Sequence, residues 1–148
     1  MLTSLVHLHS TFGWLLLIAL IGSIAVALIK KSGGKPFAKS DQILFQVSVR
    51  LAQLLFLIGI VQYFFSQKVM FSGETMSNAV VRFFTVEHPL TMILAIAALS
   101  VGYGRAGRAA EDGNKFKQIY LFYGIGLLLI LLRFPWKYLS VIGKGWFV

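Results

Sequence analysis

The chain has 148 residues, 57% of them hydrophobic and only 13% charged, with a formal net charge of +9 and a mean hydropathy of +0.79. A soluble domain carries about 25% charged residues, so this composition excludes an ordinary soluble domain. The basic excess sits at the ends of apolar blocks, which points to anionic lipid and topology control rather than to nucleic acid. There is no cysteine, which excludes disulfides, iron–sulfur clusters, thiolate zinc sites and covalently attached c-type haem.

The apolar residues fall into four blocks, each close to the ~20 residues that span a bilayer core. The first runs over residues 5–29. No positive charge precedes it, and Lys30-Lys31 follows it, which is not the pattern of a cleaved signal peptide. It reads as a retained helix with its N-terminus outside. Gly33, Gly34 and Pro36 then mark a short loop, and Ser40 or Asp41 is placed to cap the next helix. The second block covers 42–65 and carries Gln46, Arg50 and Gln53. Their spacing puts all three on one helical face. Such a stripe inside a membrane should face protein or a water-filled cavity, because lipid cannot solvate it.

Residues 66–78 are polar enough for an outer loop. The third block ends near 104, and its start has two readings. Thr85 can cap a helix with Pro89 in its first turn, where the missing N–H costs little. Alternatively the helix begins near Ala79, and Pro89 disturbs it and frees the carbonyl of Thr85. The fourth block covers 118–136 and meets Pro135-Trp136. Trp136, Tyr138 and Trp146 suit an interfacial aromatic belt.

These readings predict an all-α fold: a single membrane domain over 1–148, built as an antiparallel four-helix transmembrane bundle. Its spans are expected near 5–29, 42–65, 80–104 and 118–136. Lys30, Lys31, Lys35, Lys39, Arg105, Arg108, Lys115 and Lys117 all lie in the first and third loops. The positive-inside rule makes that side cytoplasmic and puts both termini outside.

The chemistry-bearing residues are few. At 1.5 Å per residue, His9 stands roughly 30 Å and His88 roughly 24 Å above the cytoplasmic ends of their helices, against roughly 13 Å for Arg50. The two histidines therefore share a level on different helices. Two neutral imidazoles facing each other across a bundle can ligate a haem iron axially, each needing an acceptor for its second ring nitrogen. Gly13, one turn from His9, leaves room for a porphyrin, and Arg82 and Arg133 are placed to pair with its propionates. Three histidines allow one such haem b. The plainer reading of His9 and His88 is structural hydrogen bonding. His7 lies furthest out, points nearly opposite His9, and reads as an interfacial polar residue. Glu87 is read as a salt-bridge partner of Arg82, with a proton carrier and orientation of a histidine as the other possibilities. A mid-span arginine costs at least ~2.5–3.5 kcal/mol on insertion scales, so Arg50 needs partners: Gln46 and Gln53, or an anionic lipid, quinone or substrate group. Gly22, Gly59, Gly124 and Gly126 are expected at close helix contacts. No acyl-transfer triad, phosphate loop or metalloprotease motif is present.

Four motifs in order carry a resemblance: Val6-His7-Leu8-His9-Ser10-Thr11-Phe12-Gly13-Trp14, Lys35-Pro36-Phe37-Ala38-Lys39-Ser40-Asp41, Arg82-Phe83-Phe84-Thr85-Val86-Glu87-His88 and Phe134-Pro135-Trp136. Together they resemble a family of small four-helix bacterial membrane proteins loosely labelled cytochrome b. Members often carry Arg before the Trp of the first motif, where this chain has Gly13. The resemblance implies the four-helix fold, a bacterial inner membrane and a haem, without specifying a reaction. Three functions are open at this level. One is a b-type haem protein or redox subunit, ligated by His9 and His88, exchanging electrons with quinone or a partner chain. The second is a non-catalytic subunit or assembly factor of a larger membrane complex or homo-oligomer. The third is a small transporter or lipid-binding protein using the polar stripe.

Overall fold

The computed structural model describes residues 2–73 and 75–136. It has four long helices: α1 (Leu2–Ser32), α2 (Lys39–Phe65), α3 (Ala79–Arg108) and α4 (Asp112–Leu132). All four are long and apolar enough to cross a membrane. The close contacts pair α1 with α2, α2 with α3, α3 with α4 and α4 with α1. The helices thus close into a four-membered ring with α1 and α3 on one diagonal.

α1 ends where the sequence places its glycines. Gly34 adopts φ +59, a left-handed conformation that only glycine takes without strain. Lys35 N–H then bonds the Lys30 carbonyl at 2.9 Å and Gly34 N–H the Lys31 carbonyl at 3.2 Å, which is the Schellman closure. The cap of α2 differs from expectation. Ala38 is the capping position, and Asp41 works from inside the first turn by accepting Ala38 N–H at 2.8 Å. Its carboxylate also binds Lys30 Nζ at 2.7 Å, which compensates for its burial. Asp112 Oδ2 accepts Phe37 N–H at 2.9 Å. The two basic loops are therefore joined at one end of the bundle, as their charge predicts; this is called the basic end below.

α3 decides between the two starts in favour of Ala79. Asn78 caps it by accepting from Val80 N and Val81 N. A short α-turn, Ala79–Arg82, passes into a π-turn, Phe83–Glu87, before the α-helix His88–Arg108. Pro89 explains the irregularity, since it lacks an N–H and its ring crowds the carbonyl four residues back. That carbonyl, Thr85 O, accepts the Tyr63 hydroxyl at 2.9 Å, and Glu87 O accepts Thr91 Oγ1 at 2.7 Å. No cap is left for Thr85 to make; its own hydroxyl accepts Met70 N–H at 3.2 Å and pins the preceding loop. α4 begins at Asp112, six residues before the apolar block. Hydropathy marks where a membrane begins, whereas a helix continues through polar residues of ordinary propensity. Tyr138 and Trp146 lie outside the described residues.

The core is built from Leu16, Leu20, Phe45, Val49, Leu99, Phe116, Ile119 and Tyr123. Two polar ties cross it. Ser23 and Ser48 hydroxyls meet at 2.9 Å, and Tyr123 Oη donates to the Phe45 carbonyl at 2.6 Å. Gly102 and Gly126 set the α3–α4 contact: a Cβ at Gly102 would run into Phe122, and one at Gly126 would lie 2.6 Å from Leu99 Cδ2. Gly22 and Gly124 face open space instead, so the expectation of close packing fails there. Outward, large apolar side chains such as Ile18, Leu57 and Leu128 are exposed, a surface suited to hydrocarbon rather than water.

Candidate histidine site

At the end opposite the basic loops, His9 of α1 and His88 of α3 meet across the diagonal, with ring centroids 6.5 Å apart and planes inclined by 67°. α2 makes room for this. A Cβ at Gly59 would stand 3.2 Å from His9 Cε1, so the glycine lets the imidazole lie against the backbone. The Nδ1 of His9 is buried and has no hydrogen-bond partner among the described residues. Gln62, one turn beyond Gly59 on the same face, also has a buried side-chain nitrogen that lacks a hydrogen-bond partner.

His88 is held more firmly. Its Nδ1 lies 2.9 Å from the Arg133 carbonyl at the end of α4, which selects the tautomer with Nδ1 protonated and leaves Nε2 as the lone-pair nitrogen. Phe83 packs beside it, with centroids 5.8 Å apart. In an α-helix, residues five apart point about 140° away from each other; the π-turn removes most of that angle and brings Phe83 round to His88. The irregularity caused by Pro89 thus shapes the site, as π-turns often do.

Above the histidines lies an ion cluster. Glu87 Oε1 binds Arg82 Nε at 2.8 Å, and Oε2 lies 3.9 Å from Arg133 Nε. Arg82 also donates to the Met76 carbonyl at 2.7 Å. Glu87 therefore pairs with Arg82, as the first of its readings predicted. Gly13 has no atom within 4 Å of a built Cβ, so it borders open space one turn below His9. His7 is exposed, while His9 is half-buried.

The polar stripe on α2 departs from expectation. Gln46 and Arg50 are exposed on the outside of the bundle, and Gln53 is half-buried. Arg50 Nη1 donates to Gln53 Oε1 at 2.9 Å, and Gln53 Nε2 reaches Ser100 Oγ of α3 at 3.4 Å. The shared helical face was read correctly, but only its Gln53 edge turns toward protein. The core claims Phe45, Ser48, Val49 and Ala52, which rotates Arg50 outward.

Sequence reasoning paired His9 with His88 and placed Arg82 and Arg133 at their level. It expected Gly59 at a close helix contact without seeing that His9 would be the neighbour, and it missed the roles of Phe83, Tyr63 and the Arg133 main chain. A glycine less than two turns before the end of an apolar helix was the available signal for Gly59; nothing in the sequence marks the Arg133 carbonyl as an acceptor. No family profile, curated protein or solved structure matches this chain.

Proposed function

We propose that this chain is a b-type haem protein of the bacterial cytoplasmic membrane, an antiparallel bundle with both termini outside, serving as a small redox subunit. The observation that carries the reading is the His9–His88 pair. The two rings face each other from different helices with centroids 6.5 Å apart, so both imidazoles would be available to hold one haem iron. Among the described residues no group of three or more His, Cys, Asp or Glu side chains is placed to hold a metal ion. Two protein ligands are too few for a bare ion but match what an iron already held by a porphyrin still needs.

The residues fit that group. His88 presents Nε2 while the Arg133 carbonyl holds its other nitrogen, the second-shell bond that fixes ring orientation in metal-ligating histidines. His9 is half-buried, and its buried Nδ1 still wants a hydrogen-bond partner. Gly13 keeps one flank clear, and Arg82 and Arg133 supply positive charge at the membrane edge for propionates. Haem, when bound, supplies a one-electron couple. The protein's part is to hold both imidazoles neutral, exclude water through Phe83 and the surrounding helices, and keep the ring orientations fixed.

The test is a reduced-minus-oxidised visible spectrum of the purified protein after expression with haem supplied. A b-type signal near one haem per chain is expected. His9→Ala and His88→Ala should each reduce bound haem at least tenfold while the bundle stays folded. An undiminished Soret band in both variants would overturn this ligation.

A further inference from the structure

The basic end carries eight lysines and arginines against three carboxylates, Asp41, Glu111 and Asp112. Lys30 is paired with Asp41 at 2.7 Å and Lys115 with Asp112 at 2.9 Å. Among the described residues no ion pair reaches the other six. Lys35 and Lys39 are exposed at the loop, where water solvates them. Arg105 and Arg108 are placed differently. Arginines at the end of a membrane helix ordinarily extend toward water, whereas both of these fold back along the span. Arg105 lays its guanidinium over the ring of Phe122 on α4, 5.5 Å from the centroid, and Phe122 stands about 15 Å from the start of that helix. Arg108 keeps Nη1 3.7 Å from where a Cβ would stand on Gly104, one turn deeper. Two glycines allow this. Gly102 draws α4 close enough for Phe122 to lie against it, and Gly104 leaves space for the Arg108 side chain.

Arg105 and Arg108 are three residues apart and therefore neighbours on the surface of α3. Two unneutralised guanidinia thus stand at the polar edge of the α3–α4 seam. Beyond them, toward the middle of the span, Leu94 and Val101 of α3 and Leu121 and Ile125 of α4 are exposed. A ligand that satisfies both parts has an oxyanion head and apolar chains; a soluble anion would leave the seam unused. The excess of cations at this end favours a head without an ammonium group of its own. We infer that Arg105 and Arg108 hold the phosphate of an anionic phospholipid of the phosphatidylglycerol class, whose acyl chains lie along the α3–α4 seam. Arginines match the oxygens of a phosphate in pairs of hydrogen bonds, and the stacking on Phe122 steadies one of them. The site stands at the end away from the histidines and does not depend on haem.

The experiment is native mass spectrometry of the full chain in detergent with equimolar phosphatidylglycerol and phosphatidylcholine. The first lipid retained is expected to be phosphatidylglycerol, by about tenfold. Arg105→Gln combined with Arg108→Gln should bring that preference below about threefold, whereas Lys35→Gln combined with Lys39→Gln, which removes equal charge from the same end, should leave it within about twofold of the unaltered chain. Equal losses in the two pairs, or no preference in the unaltered chain, would overturn the site, because the attraction would then be diffuse or absent. Excess glycerol phosphate should not displace the lipid; displacement would overturn it in favour of a soluble anion. Phosphatidylglycerol with a diazirine on one acyl chain, photolysed on the unaltered chain in phosphatidylcholine nanodiscs, should label peptides covering residues 94–101 and 121–125. Label spread evenly over all four helices would rule out the seam. A partner chain from native membranes that cross-links to this face and excludes the lipid would replace it with a protein ligand.

Discussion

At the scale of single residues, four glycines that look alike in the sequence divide into two kinds. Gly59 and Gly126 face neighbours at contact distance, while Gly22 and Gly124 face open space. The difference has a measurable consequence. Gly126→Ala pushes a Cβ into Leu99, which is fully buried, and should cost about 1–3 kcal/mol by overpacking. Gly124→Ala, two residues away, should be neutral or stabilising by up to about 1 kcal/mol, from helix propensity. Detergent-titrated unfolding of the two variants checks the contrast; equal effects would mean that α3 and α4 do not approach as described. The histidines show the same limit of local reading. Their shared level followed from the helical rise, but the acceptor for His88 is a main-chain carbonyl 45 residues away, and no side-chain pattern encodes it.

At the scale of an element, α3 is the informative helix. Proline explains why an irregularity must occur near Thr85, and the sequence shows both the proline and the carbonyl it frees. It does not show that Tyr63, on another helix, satisfies that carbonyl. Tyr63→Phe should cost about 0.6 kcal/mol and at most about 1.7, the range for hydrogen bonds between membrane helices. Pro89→Ala restores a backbone N–H that can compete for the same carbonyl, so the cost of Tyr63→Phe should shrink in its presence. A double-mutant cycle measures this coupling; strictly additive effects would show that Tyr63 and Pro89 do not share the carbonyl. Because the π-turn sets Phe83 beside His88, Pro89→Ala should also shift the haem spectrum if the proposed site is right.

At the scale of the whole molecule, the charge distribution and the loop contacts agree. The basic loops meet through Phe37 and Asp112, and the histidine end lies opposite. The chain contains no cysteine, so single cysteines report cleanly. On intact cells, a membrane-impermeant maleimide should label Ser4→Cys and leave Lys35→Cys unlabelled. The reverse pattern would invert the proposed orientation and place the histidine site on the cytoplasmic side.

Much of this protein is legible in its sequence because lipid is an undemanding partner. Every span must be helical to satisfy its own backbone, so number, type and approximate place of the helices follow from hydropathy. The basic loops and the level of His9 and His88 follow from charge and helical rise. Rotation of each helix about its axis does not, because apolar residues surround these helices on nearly all sides, and the polar stripe of α2 faces outward with Gln46 and Arg50 instead of marking the inner face. Core packing decided that rotation: Phe45, Ser48, Val49 and Ala52 turned inward and carried Arg50 out to the surface. The same packing set Gly59 against His9 and the Arg133 carbonyl against His88. Those contacts join residues far apart in the chain, and only the folded bundle brings them together.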